Sequence, residues 1–131
     1  MTTEQYIHIN EYGNKFYYKD KAMTIAHRLD GPAYELVGGN KYWYVDDELH
    51  RLDGPAVEWA NGSKEWYVDG ERHRLDGPAV EWFGGDKTWY VDGKYLTEEK
   101  FNALTAPTLE LTLEEIAAKF GVDVSKVKIV K

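Results

Sequence analysis

Three copies of one seven-residue motif, His-Arg-Leu-Asp-Gly-Pro-Ala, contain the side chains of this chain that are best suited to chemistry. The copies span residues 27–33, 50–56 and 73–79, so each begins 23 residues after the previous one. Histidine and aspartate could bind a metal ion or transfer protons, and arginine could bind an anion. The motif therefore suggests three hypotheses: a metal site, a catalytic site and an anion site.

A metal ion shared between copies of the motif conflicts with the spacing expected of β repeats. If each copy belongs to one two-stranded hairpin, equivalent histidines lie about 9.5 Å apart, which is twice the strand spacing. Two imidazoles on one zinc ion each need a Zn–N distance of about 2 Å. Within one copy only His and Asp could be ligands, and Arg lies between them. The chain also has no cysteine. We therefore predict no metal and no cofactor.

A catalytic role is a poor explanation for a motif that is repeated three times without a substitution. A catalytic group normally occurs once, among neighbours that tune its pKa. We predict a non-enzymatic protein with no catalytic residue. The motif is interpreted as a structural corner in which His and Arg bond to a neighbouring repeat, Asp bonds to nearby backbone amides and Gly takes a positive φ. The corner residues are His27, Arg28, Asp30, His50, Arg51, Asp53, His73, Arg74 and Asp76.

A second marker, Trp-Tyr-Val-Asp, keeps the same step at residues 43–46, 66–69 and 89–92. A fixed period of this length is typical of a repeat array. Between the two markers lies an Asn-Gly or Gly-Gly pair that favours a type I′ hairpin turn. A second turn is predicted at Asp69-Gly70, at Asp92-Gly93 and, as a weaker copy, at Asp46-Asp47. The sequence predicts a mainly β fold: an elongated antiparallel sheet of four stacked β-hairpins with a small α+β C-terminal tail.

In each repeat, the length of the loop between the two strands of the hairpin determines which residues share a face of the sheet. A two-residue loop at Asn61-Gly62 places Val57 opposite Trp66 and gives two faces of clearly different composition. One face is apolar and carries Val57, Trp59, Trp66 and Val68. The other is aromatic and acidic. We predict that this second face binds a partner protein of basic character through Tyr44, Tyr67, Tyr90, Glu35, Glu58 and Glu81.

The chain divides into three predicted segments. Residues 1–26 contain a degenerate hairpin that we expect to cap the stack, and residues 27–95 hold three 23-residue repeats. Residues 96–131 form a tail with the order helix, helix, strand. Thr97 is the candidate N-cap of its first helix.

Composition limits the class of protein and of partner. Hydrophobic residues make up 43% of the chain and aromatic residues 15%, which is enough for a packed core. The formal net charge of -7 argues against a nucleic-acid partner, because phosphate neutralisation needs Lys and Arg. No run of 18 apolar residues exists and the first residues lack the pattern of a signal peptide. We therefore expect no membrane association and a cytoplasmic location.

The 23-residue hairpin unit, with an Asp-Gly turn followed by a Gly-rich corner that contains histidine, resembles a MORN-type repeat. The motif itself, with Trp-Tyr-Val-Asp-Gly between copies, is similar to small repeat proteins of tailed bacteriophages. MORN units usually carry Gly-x-Gly where this chain has Gly31-Pro32-Ala33. The resemblance covers residues 27–95 and is specific for the fold unit, not for an activity. The resemblance implies a non-catalytic binding or scaffolding module. For a phage protein it implies the host cytoplasm and a host-encoded partner, such as a defence protein.

Two alternatives remain open beside protein binding. Arg28, Arg51 and Arg74 could sequester a small anionic ligand, such as a nucleotide, if they line a concave pocket. This alternative loses support if each guanidinium is already bonded to Glu or to the backbone. The chain could also be a purely structural or assembly module, and the sequence does not indicate its oligomeric state.

Overall fold

The computed structural model describes residues 4–106 of the chain. Within this range the fold is mainly β with one short helix, as the repeat predicts. The elements are β1 Tyr6–Ile9, β2 Lys15–Tyr18, β3 Tyr34–Glu35, β4 Lys41–Tyr42, β5 Tyr44–Val45, β6 Glu48–Leu49, β7 Val57–Glu58, β8 Lys64–Glu65, β9 Tyr67–Val68, β10 Glu71–Arg72, β11 Val80–Glu81, β12 Lys87–Val91, β13 Lys94–Leu96 and α1 Glu98–Thr105. The predicted second helix and final strand of the tail lie outside the described residues.

Nine of the described strands form one antiparallel sheet in the order β1-β2-β3-β4-β7-β8-β11-β12-β13. The other four form two small sheets, β5-β6 and β9-β10. Each of the first two repeats therefore contributes two strands to the large sheet and then turns through a small hairpin before the next corner. This arrangement places the corners two strands apart along the sheet.

The loop predicted at Asn61-Gly62 has three residues, and the two-residue interpretation is wrong. The amide of Trp59 donates to the carbonyl of Ser63 at 2.9 Å, so residues 60–62 form the loop. Only Gly62 has a positive φ, 95°. A type I turn followed by one left-handed glycine is a common three-residue hairpin loop. The equivalent loops end at Gly13, Gly39 and Gly85, which also have positive φ.

This register changes the predicted composition of both faces. Glu58 lies opposite Lys64, while Val57 lies opposite Glu65, so Val57 and Trp66 do not share a face. One row of the large sheet alternates in charge across seven strands: Lys15, Glu35, Lys41, Glu58, Lys64, Glu81 and Lys87. Opposite charges that face each other across strands contribute about 0.2–1 kcal/mol per pair. The neighbouring row, on the other face, is mostly aromatic or aliphatic.

The second predicted turn is confirmed, and it is the one with type I′ geometry. Asp69 and Gly70 have φ of 51° and 80° and join the directly paired residues Val68 and Glu71. Positive φ at both central residues defines the type I′ turn. The equivalent pairs, Asp46-Asp47 and Asp92-Gly93, also have positive φ at both positions.

The alanine that ends each motif lies in the core. Ala33, Ala56 and Ala79 have no exposed surface. Each of their carbonyls accepts a hydrogen bond of 2.7 Å from a backbone amide of the preceding hairpin. The adjacent Val57 and Val80 are 2% and 1% exposed. The corner is therefore fixed at the point where it enters the large sheet.

The described part of the tail begins with the predicted helix. The amide of Lys100 donates to the hydroxyl of Thr97 at 3.2 Å, which confirms Thr97 as the N-cap of α1. Phe101 is buried and its ring centroid lies 6.4 Å from that of Trp89. No helix among residues 4–106 is long and apolar enough to cross a membrane.

Candidate binding site

Each motif arginine is held by four contacts. Nε of Arg51 donates to Asp53 at 3.0 Å, and one terminal nitrogen donates to the carbonyl of Pro55 and to Glu58 at 3.0 and 2.9 Å. The guanidinium carbon also lies 4.0 Å from the ring centroid of Trp43, a cation–π distance. Arg28 makes the equivalent contacts with Asp30, Pro32, Glu35 and Tyr17, and Arg74 with Asp76, Pro78, Glu81 and Trp66.

These contacts weigh against the anionic-ligand alternative. Two of the three nitrogens of each motif guanidinium are bonded to Asp, Glu or backbone, and the three side chains are only 19–22% exposed. An incoming phosphate would have to compete with carboxylates that are already in place. The contacts also correct the predicted role of aspartate: the Asp53 carboxylate accepts from the Arg51 side chain rather than from a backbone amide.

The corner glycine is required for space, and the predicted positive φ is wrong. None of Gly31, Gly54 and Gly77 has a positive φ. A Cβ atom on Gly54 would lie 2.9 Å from the guanidinium carbon of Arg51, and the other two corners give 3.0 and 2.8 Å. A side chain at this position would therefore displace the arginine.

Each motif histidine links its corner to a type I′ turn. Nδ1 of His50 accepts a hydrogen bond of 3.0 Å from the amide of Asp69, and His27 and His73 make the same bond to Asp46 and Asp92. Because Nδ1 accepts, the neutral ring carries its proton on Nε2. Among residues 4–106, no three His, Asp or Glu side chains are grouped so that they could hold a metal ion.

Two grooves of equivalent composition lie between successive corners. Groove 1, of about 660 Å3, lies between the corners at 27–33 and 50–56. Groove 2, of about 570 Å3, lies between those at 50–56 and 73–79. Every residue that lines groove 1 has its counterpart 23 residues later in groove 2, and both grooves include Arg51, Leu52 and Asp53. We call the two grooves together the corner track.

The corner track combines exposed apolar side chains with an acidic rim. Leu29, Leu52 and Leu75 are 76%, 80% and 57% exposed. The side chains of the neighbouring aspartates, Asp30, Asp53 and Asp76, are 81–88% exposed. The sequence interpretation overlooked the leucine. The available signal was an apolar residue kept at the same place in three polar, turn-forming segments.

The predicted Tyr/Glu stripe does not form one surface. Glu35, Glu58 and Glu81 lie in the charged row and are bonded to the motif arginines. The hydroxyl of Tyr67 instead donates to Glu65, which lies in the other row. The ring of Tyr44 packs on Tyr34 with a centroid distance of 4.9 Å, and that of Tyr90 on Tyr95 at 5.7 Å. Burial raises the pKa of Tyr44 and of Tyr67.

A buried carboxylate in the middle repeat was also missed by the sequence interpretation. Glu65 is 4% exposed and accepts hydrogen bonds from the indole of Trp59 at 2.7 Å, from Arg72 at 3.0 Å and from Tyr67 at 3.2 Å. A buried charge is tolerated only when it is paired and hydrogen-bonded. The positions equivalent to Glu65 are Tyr42 and Thr88, so this network is confined to one repeat and has a structural role.

The fold and its corners define a β-hairpin repeat protein. No protein-family model, curated protein or solved structure matches the chain. The MORN-type resemblance therefore stays a prediction from the motif, and the function has to be argued from the geometry of the site.

Proposed function

We propose that the protein is a non-enzymatic protein-binding module and that its binding surface is the corner track. The observation that carries this proposal is the exposure of Leu29, Leu52 and Leu75 at equivalent positions along the two grooves. A leucine left in water contributes little burial energy to folding. Contiguous apolar side chains with a polar rim are typical of protein interaction sites.

The charge of the corner track favours a basic partner. Each exposed leucine is followed in the chain by an exposed aspartate, and each corner contains two carboxylates for one guanidinium. The chain as a whole carries a net charge of -7. An acidic surface attracts a cationic partner and increases the rate of encounter. The partner chemistry is therefore the one predicted from the sequence, on a different surface. A host-encoded partner is what the phage resemblance adds to this proposal.

A capture experiment with paired variants tests the proposal. Tagged wild-type protein is incubated with bacterial lysate beside a triple variant, Leu29→Ser/Leu52→Ser/Leu75→Ser. The matched control is Val37→Ser/Phe83→Ser, because these two side chains are 68% and 73% exposed and lie in the hairpin loops. Captured proteins are identified by mass spectrometry. We expect one stoichiometric protein that wild type and control retain and that the triple variant loses.

Two results would count against the proposal. If the triple variant retains the captured protein, the binding surface is not the corner track. If the wild type captures no protein, a structural role gains support over binding. Native mass spectrometry of the purified protein then tests the remaining alternative, because a bound nucleotide would support the anionic-ligand hypothesis.

A further inference from the structure

We infer that the corner track binds an extended polyproline II segment that carries an apolar side chain at every third residue and Lys or Arg between them. This inference rests on the proposed function and names the class of ligand for the same site. It follows from the spacing of the grooves, from their unused hydrogen-bond donors and from their charge.

The spacing of the grooves is set by the large sheet. The corner at 27–33 leads into β3 and the corner at 50–56 leads into β7, with β4 between these two strands. Neighbouring strands lie about 4.7–4.9 Å apart, so equivalent groups in successive corners are about 9.4–9.8 Å apart. Since Leu29, Leu52 and Leu75 occupy equivalent positions, a ligand meets the same chemistry at each such step.

Polyproline II is the regular backbone conformation that matches this step. It has three residues per turn and rises about 3.1 Å per residue, so side chains three residues apart lie about 9.3 Å apart on one edge. A β-strand repeats its side-chain direction every two residues, about 6.6–6.8 Å. An α-helix repeats every 5.4 Å or so. Of these regular conformations, polyproline II has the repeat that lies closest to the spacing of the corners.

Two tryptophans that line the grooves also keep indole N–H groups that are not used within the described part of the protein. Trp43 lines groove 1 and Trp66 lines groove 2. Across residues 4–106 neither indole N–H has a hydrogen-bond partner, whereas that of Trp59 is bonded to Glu65. A polyproline II segment has no internal hydrogen bonds, so its carbonyls are free to accept. Aromatic-lined grooves are a recurring site for such segments.

The acidic rim specifies the residues between the apolar ones. One exposed aspartate stands beside each exposed leucine and accepts a hydrogen bond from Nε of the motif arginine. The same arginine is also bonded to a glutamate, so each corner has two carboxylates for one guanidinium and its net charge is negative. A cationic side chain in every triplet of the ligand would meet one of these aspartates at each step. An acidic side chain at the same place would be repelled.

A peptide series tests this inference directly. The probe is a peptide of five Pro-Leu-Lys triplets, which carries Leu and Lys at every third residue. One control has the same composition with Leu and Lys at irregular spacing, and a second control replaces every Lys by Glu. Binding is followed by isothermal titration calorimetry and by tryptophan fluorescence. We expect the regular peptide to bind at least about tenfold more tightly than either control, and more weakly as salt concentration rises.

Two further arms locate the peptide on the corner track. Affinity for peptides of one to five triplets should rise up to three triplets and then level off, because there are three corners. Leu52→Ser should weaken binding at least about tenfold, since Leu52 lines both grooves, whereas Phe83→Ser should leave it unchanged. Far-UV circular dichroism of Leu52→Ser checks that the variant is folded.

The outcomes separate this inference from the proposed function. Equal affinity for the regular and irregular peptides, or no binding of either, overturns the polyproline II inference. If the lysate experiment still yields a partner that depends on the three leucines, the corner track remains a protein-binding surface for another kind of segment. If both experiments fail, both proposals are wrong.

Discussion

The inward and outward residues of each corner differ in how many partners they have within the protein. The inward residues, arginine, histidine and alanine, are bonded or buried in the same way three times, whereas the outward leucine is exposed to solvent. Aspartate lies between the two sides, because its carboxylate accepts a hydrogen bond from the arginine while the side chain stays largely exposed. The inward residues explain how the repeat folds. The outward leucines contribute little to folding, and this contrast is the reason for proposing the binding surface at the leucines. Substitutions on the two sides should therefore have opposite consequences for stability and for binding.

The largest effect on stability is expected at an inward arginine. Arg51→Ala removes the partners of the Pro55 carbonyl and of Glu58, together with the stacking on Trp43. Loss of hydrogen bonds to a charged group, with the partners left half-buried, should lower the free energy of unfolding by about 3 kcal/mol. Urea denaturation measures this change in the free energy of unfolding. Lys94→Ala, at an exposed lysine, should change it by less than about 0.5 kcal/mol. Equal losses in the two variants would contradict the structural role of the corner.

A smaller loss is expected when a methyl group is added beneath the arginine. In Gly54→Ala the new Cβ would lie 2.9 Å from the Arg51 guanidinium carbon, so the side chain must move and its bonds weaken. We expect a loss of about 1–2 kcal/mol, in the range of other overpacked sites. Gly84→Ala is the control, because its Cβ would meet nothing within 4 Å and its φ is not positive. Thermal denaturation should show a lower midpoint for Gly54→Ala only.

The outward leucine should be nearly neutral for folding. Leu52 is 80% exposed, so Leu52→Ser should change the free energy of unfolding by less than about 0.5 kcal/mol. The same variant should lose the partner protein and the regular peptide. A marked loss of stability on urea denaturation would mean that the leucine supports the fold, and it would remove the main argument for the corner track.

The smallest expected effect is on the pH dependence of stability, through the ion pair between Arg28 and Asp30 in the first corner. The hydrogen bond from Arg28 holds the pKa of the Asp30 carboxyl below its ordinary value of 3.8. A lowered pKa in the folded state adds stability above that ordinary value, and the gain is lost as the pH falls through the folded pKa. Because Asp30 is exposed, this gain is small. In Arg28→Gln we expect the pKa of Asp30 to rise toward 3.8, measured from its carboxyl carbon shift by NMR. An unchanged pKa would contradict the pairing.

The two loops of each repeat show where local sequence was sufficient. Asp69-Gly70 was predicted as a tight turn and has type I′ geometry, with positive φ at both residues. Asn61-Gly62 was given the same geometry and instead closes a three-residue loop. Both dipeptides tolerate either conformation, because glycine accepts the left-handed region in each of them. Local turn chemistry therefore located both loops but could not choose the register of the first.

The observed register of the hairpin around residues 60–62, which the sequence did not predict, is supported by contacts between strands and between repeats. The side chain of Asn40 accepts the amide of Ala60 at 2.7 Å, and the observed pairing places Glu58 opposite Lys64. A one-residue slip would move every side chain to the other face, and these bonds would be lost. The recurring Lys and Glu positions in the sequence were a signal for this pairing, since opposite charges stabilise facing strands.

The sequence by itself determined the 23-residue period, the mainly β class, both turn positions and the recurrence of the corner, because each of these depends on neighbouring residues and their repetition. Tertiary structure decided which groups the corner residues meet. It bonded the arginines to their carboxylates, separated the tyrosines from the glutamates and left the three leucines exposed beside two equivalent grooves. The two faces and the grooves depend on strand register and on contacts between repeats, which join residues distant in the chain. The arginines and their carboxylates are only two and seven positions apart, and they meet through the conformation of the corner.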